Sequence, residues 1–176
     1  MMPGTCPVSS PSMAIFPIRT YPDPVLRMAA RSVDAVDGEV RRLIEDMIET
    51  MYAAPGVGLA APQIGVSLRL IVIGLPEEEP FALINPEIVK RSGERPVEEG
   101  CLSVPGYRAE LTRSVTVVAK GLDEQGRPLR IKARDDLLAQ ALEHEIDHIN
   151  GILYIDHLPS LDALVKVEPE ERTARR

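Results

Sequence analysis

"DDLLAQALEHEIDHINGILYIDH", residues 135 to 157, holds every histidine of this 176-residue chain: His144, His148 and His157. Asp135 or Asp136 offers a carboxylate as N-cap and Asn150-Gly151 supplies the stop, so the segment reads as a helix from Leu137 to about Ile149. Leu138, Leu142, Ile146 and Ile149 form one apolar stripe, and Leu137, Ala141, His144 and His148 form the next. Two such stripes make the helix largely buried, the centre on which the rest must pack. Gln140, Glu143, Asp147 and Asn150 mark its polar side, where Asp147 reads equally as a solvent-facing residue or as a partner of a site. His144 and His148 stand four residues apart, which lays one ring above the other and lets both converge on one cation. Glu145, about 100° further round the helix, falls beside such an ion.

Working outward, Val40, Leu43, Ile44, Met47, Ile48 and Met51 repeat at helical spacing, with Asp37 as N-cap and Pro55-Gly56 as the stop. "LRLIVIG" (68–74) and "FALINPEIV" (81–89) read as strands. "SVTVVAKGL" and "RPLRIKAR" flank Asp123-Glu124-Gln125-Gly126, a hairpin signal. A short helix is expected from Leu161. The class is α+β: antiparallel strands and hairpins around the central histidine-bearing helix, with an N-terminal amphipathic helix and a short C-terminal one. Residues 1–12, rich in Pro, Ser and Gly, read as a disordered extension, and Met13 looks the more natural start. Residues 13–168 then form one domain and 169–176 a charged flexible tail.

Composition narrows the function. Hydrophobic residues make up 44% and charged residues 27%, ordinary for a soluble globular protein. A net charge of −7 argues against direct nucleic-acid binding, which needs a basic field. No apolar run approaches the roughly 20 residues of a membrane helix, and "MMPGTCPVSSPSM" has neither part of a secretory signal. A cytoplasmic location is expected, without a membrane partner. Cys6 and Cys101 make a poor disulfide framework, so Cys101 needs another explanation.

A catalytic metal site needs a third protein ligand. "HEIDHINGILY" follows the metzincin protease pattern through Gly151, but Tyr154 stands where that pattern has histidine. His157 lies beyond the helix stop and reads as a surface-loop residue. Cys101, in "EEGCLSVPGY" between turns punctuated by glycine and proline, offers a thiolate suited to a soft divalent ion. It reads alternatively as a small buried apolar residue, or as a nucleophile paired with a histidine. "GVGLAAPQIG" (56–65) has the glycines of a nucleotide loop, yet a helix precedes it and Pro62 obstructs a phosphate-binding helix. Its open backbone suits a peptide, and Gln63 adds an amide donor.

In order and spacing, "GVGLAAPQ" (56–63), "EGCLS" (99–103) and "HEIDH" (144–148) resemble the three motifs of the peptide deformylases, over roughly Ile18 to Leu158 and including "YPDPVLR". The resemblance implies Cys101, His144 and His148 as ligands of one divalent metal, ferrous iron in the cell, with zinc, nickel or cobalt possible in purified protein. It implies Glu145 as catalytic acid/base, the Leu102 backbone N–H and the Gln63 amide as oxyanion donors, and Gly58 close to the substrate. The implied reaction removes the formyl group from the N-terminal formylmethionine of nascent polypeptides, near the ribosome, and releases formate. Val57, Val97, Leu137 and Ala141 are candidates for the substrate and methionine pocket, with Gln140 out of place on an apolar wall. Glu99, Arg108, Arg113 and Asp147 are candidates for peptide-backbone partners or supports of the ligands. Two rivals are an H-E-x-x-H metalloprotease and a peptide-binding module without catalysis.

Overall fold

The computed structural model describes residues 14–168. The expected extension at 1–12, the Met13 start and the tail at 169–176 lie outside them. Helix α1 spans Gly38–Ala53, begun by the Asp37 carboxylate, which accepts from the Val40 N–H at 2.9 Å. A five-stranded antiparallel sheet runs β1-β2-β3-β6-β7, from Gly58–Ala60, Leu70–Ile73, Phe81–Ser92, Thr116–Leu122 and Pro128–Arg134. Every residue of β2 is buried, which explains why "LIVI" shows no alternation. Leu70 and Val72 pack with Met47 and Met51 of α1, whereas Ile71 and Ile73 pack on the opposite face. That face is covered by α2, Leu137–Ile149, whose Leu142, Ile146 and Ile149 meet Leu83, Val117 and Ala119. The expected helices, both strands and the β6–β7 hairpin are thus present, with β3 running on to Ser92 through pairs with Val118, Val117 and Thr116.

The second sheet was not expected. Strands β4 (Arg95–Cys101) and β5 (Val104–Arg113) form a hairpin inserted between β3 and β6, and β8 (Val165–Lys166) adds to the edge of β5. The short helix anticipated from Leu161 is one 3-10 turn, Leu161–Ala163. The chain extends at Leu164 so that Val165 and Lys166 can pair with Arg108 and Tyr107, leaving too few residues to repay helix nucleation.

The polar side of α2 also needs correction. Asp136 is the cap, its carboxylate accepting from Ala139 N–H at 2.8 Å, and the helix is buried along most of its length. Glu143 and Asp147 are buried, because partners on the sheets satisfy them. Glu143 accepts from the Ser114 N–H and hydroxyl, both at 2.9 Å, and from Arg91 Nε at 3.0 Å. Asp147 meets Arg113. The helix ends at Gly151, whose φ of +76° and approach to the Arg27 carbonyl leave no room for a Cβ, which would lie 2.6 Å from that oxygen. No described helix is long and apolar enough to cross a membrane.

Candidate metal centre

Cys101 ends β4, where the chain turns through Leu102 and Ser103 into β5, so the thiol hangs from the hairpin tip towards α2. Its Sγ lies 3.3 Å from His148 Nε2. The rings of His148 and His144 meet edge to face at 5.0 Å. One ligand atom from each of Cys101, His144 and His148 falls within 4.8 Å of the others. The turn supplies the thiol with a donor, Ser103 N–H at 3.4 Å. Gln63 is buried beside it: its Oε1 accepts from Ala60 N–H at 2.9 Å, and its Nε2 donates to Ser103 Oγ at 3.1 Å and reaches Sγ at 3.7 Å.

Glu99, two residues before the thiol, accepts from His144 Nδ1 at 2.8 Å. A carboxylate only accepts, so the ring proton sits on Nδ1 and the Nε2 lone pair is left for an ion. Arg113, at the end of β5, holds Glu99 in two bonds of 2.6 and 2.9 Å. Burial alone would raise the Glu99 carboxyl, but His144 and Arg113 outweigh it and hold the group down at about 2. Burial likewise opposes the Cys101 thiolate, yet His148 and His144 bring the thiol well below its ordinary value. His144 is pushed down by burial and more strongly up by Cys101 and Glu99, so its cationic form is favoured. The negative potential that favours this proton would equally favour a divalent cation in its place, with release of protons on binding.

Glu145 follows His144 on the helix and is also buried. Burial raises its carboxyl pKa, the two histidines oppose the shift, and Cys101 and Glu99 reinforce it. Glu145 Oε2 and His148 Nδ1 are buried without a hydrogen-bond partner among the described residues. Unsatisfied groups beside a thiolate and two imidazoles are what a site completed by further species requires. One sulfur and two nitrogens match the ligand count and softness of a catalytic zinc- or iron-type centre, so the residues fit a divalent ion.

The other expected site residues divide. Gly58 in β1 abuts the Glu145 carboxyl, and Leu102 lies over Gly56. Val97 packs with Cys101, Val104 and Leu111, and Ala141 is on the face of α2 buried in the core against the five-stranded sheet. Val57 and Leu137 are 37% and 42% exposed, so they can only form a rim. Gln140 turns to the hairpin, donating to the Glu98 carbonyl at 3.0 Å. Arg108 is not gathered with the ligands; it pairs with Glu98 at 2.7 Å beside a cavity of about 240 Å³ that Lys166 also lines.

Two residues had been misplaced or missed. His157 belongs to a 3-10 turn, Tyr154–His157, and lies 2.8 Å from Asp147, not free in a surface loop. Tyr154, noticed only as the wrong residue for a metzincin, stacks on the His144 ring at 6.2 Å. Its position one short turn after the Gly151 stop could have suggested that the chain folds back on the histidine face.

The pattern of the family described as "Polypeptide deformylase" matches residues 15–163. A peptide deformylase from Dehalococcoides mccartyi (strain CBDB1) is 57% identical over 160 residues, covering 90% of this chain and 95% of the relative. The crystal structure of a peptide deformylase from Legionella pneumophila superposes with a TM-score of 0.80 at 47% identity, covering 92% of this chain and 90% of that one. One from Synechococcus elongatus, in complex with actinonin, gives 0.80 at 42% identity over 84% and 81% of the two chains. These matches run through the loop, the hairpin and the helix that meet at Cys101, and the chain belongs to the polypeptide deformylase family of enzymes.

Proposed function

We propose that the chain hydrolyses the formyl group from the N-terminal formylmethionine of newly made polypeptides, using one divalent ion held by Cys101, His144 and His148. The observation that carries this reading is the convergence of those three ligand atoms within 4.8 Å, with the Glu145 carboxyl on the next helical position. An ion held there would supply Lewis acidity for the formyl carbonyl and for an attacking water. Glu145 accepts the proton of that water and returns it to the leaving amine; burial, which raises its pKa, suits it to carry the proton between the two steps. Gln63 Nε2, held by the contacts of Oε1 and Ser103, and the Leu102 N–H donate to the formyl oxygen as charge develops there. Val57 and Gly58 lie along the peptide, Val97, Leu137 and Ala141 border the methionine side chain, and Glu99 with Arg108 supports ligand and peptide respectively.

Ferrous iron is the ion in this reading, the enzyme works in the cytoplasm on chains leaving the ribosome, and residues 13–168 suffice for activity. Anaerobic purification, metal analysis and formate release from a formyl-Met peptide test it together. Stoichiometric metal and chelator-sensitive formate release are expected. Activity that survives complete metal removal would favour a Cys101–histidine nucleophile instead, and full metal without formate release would favour a binding module.

A further inference from the structure

Beyond the ligands and Glu145, the structure contains a hydrogen-bonded chain that leads from the metal centre to the surface. His144 Nδ1 donates to Glu99 Oε2, and Glu99 takes two bonds from Arg113. The remaining amino group of Arg113 donates to Asp147 Oδ2 at 2.7 Å. His157 Nε2 stands 2.8 Å from the same oxygen and 3.4 Å from Arg113. The guanidinium has no acceptor, so Nε2 cannot be satisfied by donating to it; the shorter contact assigns the Nε2 proton to Asp147. Arg113 and Glu99 are almost wholly buried, and His157, with 36% of its side chain exposed, is the outer end.

We propose that His157 is a positioning residue for the metal centre: it pins Asp147, which aligns Arg113 and through it Glu99 and the ring of His144. Cys101 is carried by the β4–β5 hairpin, whereas His144 and His148 are carried by α2, so the ligand set depends on how the two elements align. Glu99 and Arg113 belong to the hairpin, Asp147 to the helix and His157 to the turn after it. Among the described residues only the guanidinium bonds both carboxylates, Glu99 within the hairpin and Asp147 across the seam, so its plane is fixed from opposite sides. Removing the outer bond leaves Asp147 held by Arg113 alone and free to rotate, and a rotation there passes to Glu99. Outer partners of metal ligands typically contribute 10–100-fold to metal affinity, and a residue further out contributes less, ~3–10-fold.

The inference rests on the metal-dependent reading above, so its readout is metal binding itself. His157→Phe keeps a ring but removes the donor; His157→Gln keeps an N–H at similar reach. Chelator competition with zinc and the visible spectrum of the cobalt-loaded protein are measured for both and for wild type, with melting curves as the folding control. The Phe variant is expected to bind zinc ~3–10-fold more weakly with altered cobalt bands, and Gln to stay within about twofold of wild type. In the deformylase assay the Phe variant should lose kcat while KM for the formyl-Met peptide moves less than about twofold, because no peptide contact is touched. Unchanged zinc affinity in a folded Phe variant overturns the proposal, as does an equal loss in Phe and Gln, which would make the ring mere packing. If wild type binds zinc but releases no formate, the deformylase reading fails while the affinity comparison still decides this one.

Discussion

Gly58 owes its identity to Glu145: a Cβ built on Gly58 would lie 2.6 Å from the carboxylate Oε1 and 2.9 Å from its carbon. Gly58 of β1 is paired with Ile73 of β2, so its backbone has little freedom to retreat. Gly58→Ala should therefore move the carboxylate and leave the strand in place. We expect kcat to fall on the order of 100-fold, with a stability loss of about 1–3 kcal/mol from overpacking. Formate release and urea unfolding on metal-replete protein check this, and a variant with wild-type kcat would show that Glu145 tolerates displacement.

Glu145→Gln separates proton transfer from architecture. Gln is nearly isosteric and a comparable helix former, so metal content and fold should be kept. The rate should drop by ~10²–10⁴-fold with little change in peptide affinity. A metal-replete Gln enzyme working within a few-fold of wild type would remove Glu145 from the chemistry.

Cys101→Ala deletes the proposed sulfur ligand, carried by the hairpin that faces α2. Two histidines remain, and metal affinity should fall beyond the roughly 10–100-fold that loss of an outer partner costs. Metal analysis after dialysis against a weak chelator is the measurement. Full retention of the ion by this variant would refute Cys101 as a ligand.

Acid should loosen the protein through Glu99. Its pKa is lowered in the folded state from 4.5 to about 2, so the folded state binds the proton less readily than the unfolded chain. Its stabilising contribution is complete above about 4.5 and is lost as pH falls from there towards 2. Asp147 and Asp156 are shifted in the same direction. Unfolding free energy measured from about pH 6 downwards should fall steeply in wild type and more gently in Glu99→Gln, which is also less stable at neutral pH. Parallel acid limbs would locate the acid sensitivity elsewhere.

Glu143 tests the buried polar side of α2 away from the ligands' own contacts. Glu143→Ala leaves the Ser114 N–H and hydroxyl without their acceptor, at a cost of about 1–3 kcal/mol. Chemical denaturation should show the loss; an unchanged midpoint would mean that water replaces the carboxylate without penalty.

What could be read from the residues follows from what each segment meets. The period of α1 and the caps of both helices are local signals, and Asp37, Asp136 and Gly151 act as their types predict. The grouping of Cys101, His144 and His148 was legible because soft-donor chemistry and the i, i+4 spacing of the two histidines survive translation into geometry. Strands β4 and β5 were not, because "RPVEEGC" sets a buried Glu99 where alternation would place an apolar residue, and its partner Arg113 lies in the next strand. For the same reason Glu143 reads only as part of a polar side, and Asp147 reads equally as solvent-facing or as a site partner. A charge on a helix reveals its burial only through a countercharge that is distant in sequence.

The chain leaves the five-stranded sheet after β3 and rejoins it at β6, directly beside the strand it left. The ladder between Ser92 and Thr116 closes without any help from the intervening residues. The hairpin is thus a graft on a scaffold that is already complete, yet it brings the thiol of the proposed metal site, the carboxylate behind His144 and the guanidinium behind that. Such an arrangement divides labour between foundation and fitting. Hairpin length and rim can diverge among descendants, or be exchanged by an engineer, while the five strands and the helix that bears His144 and His148 keep their registry.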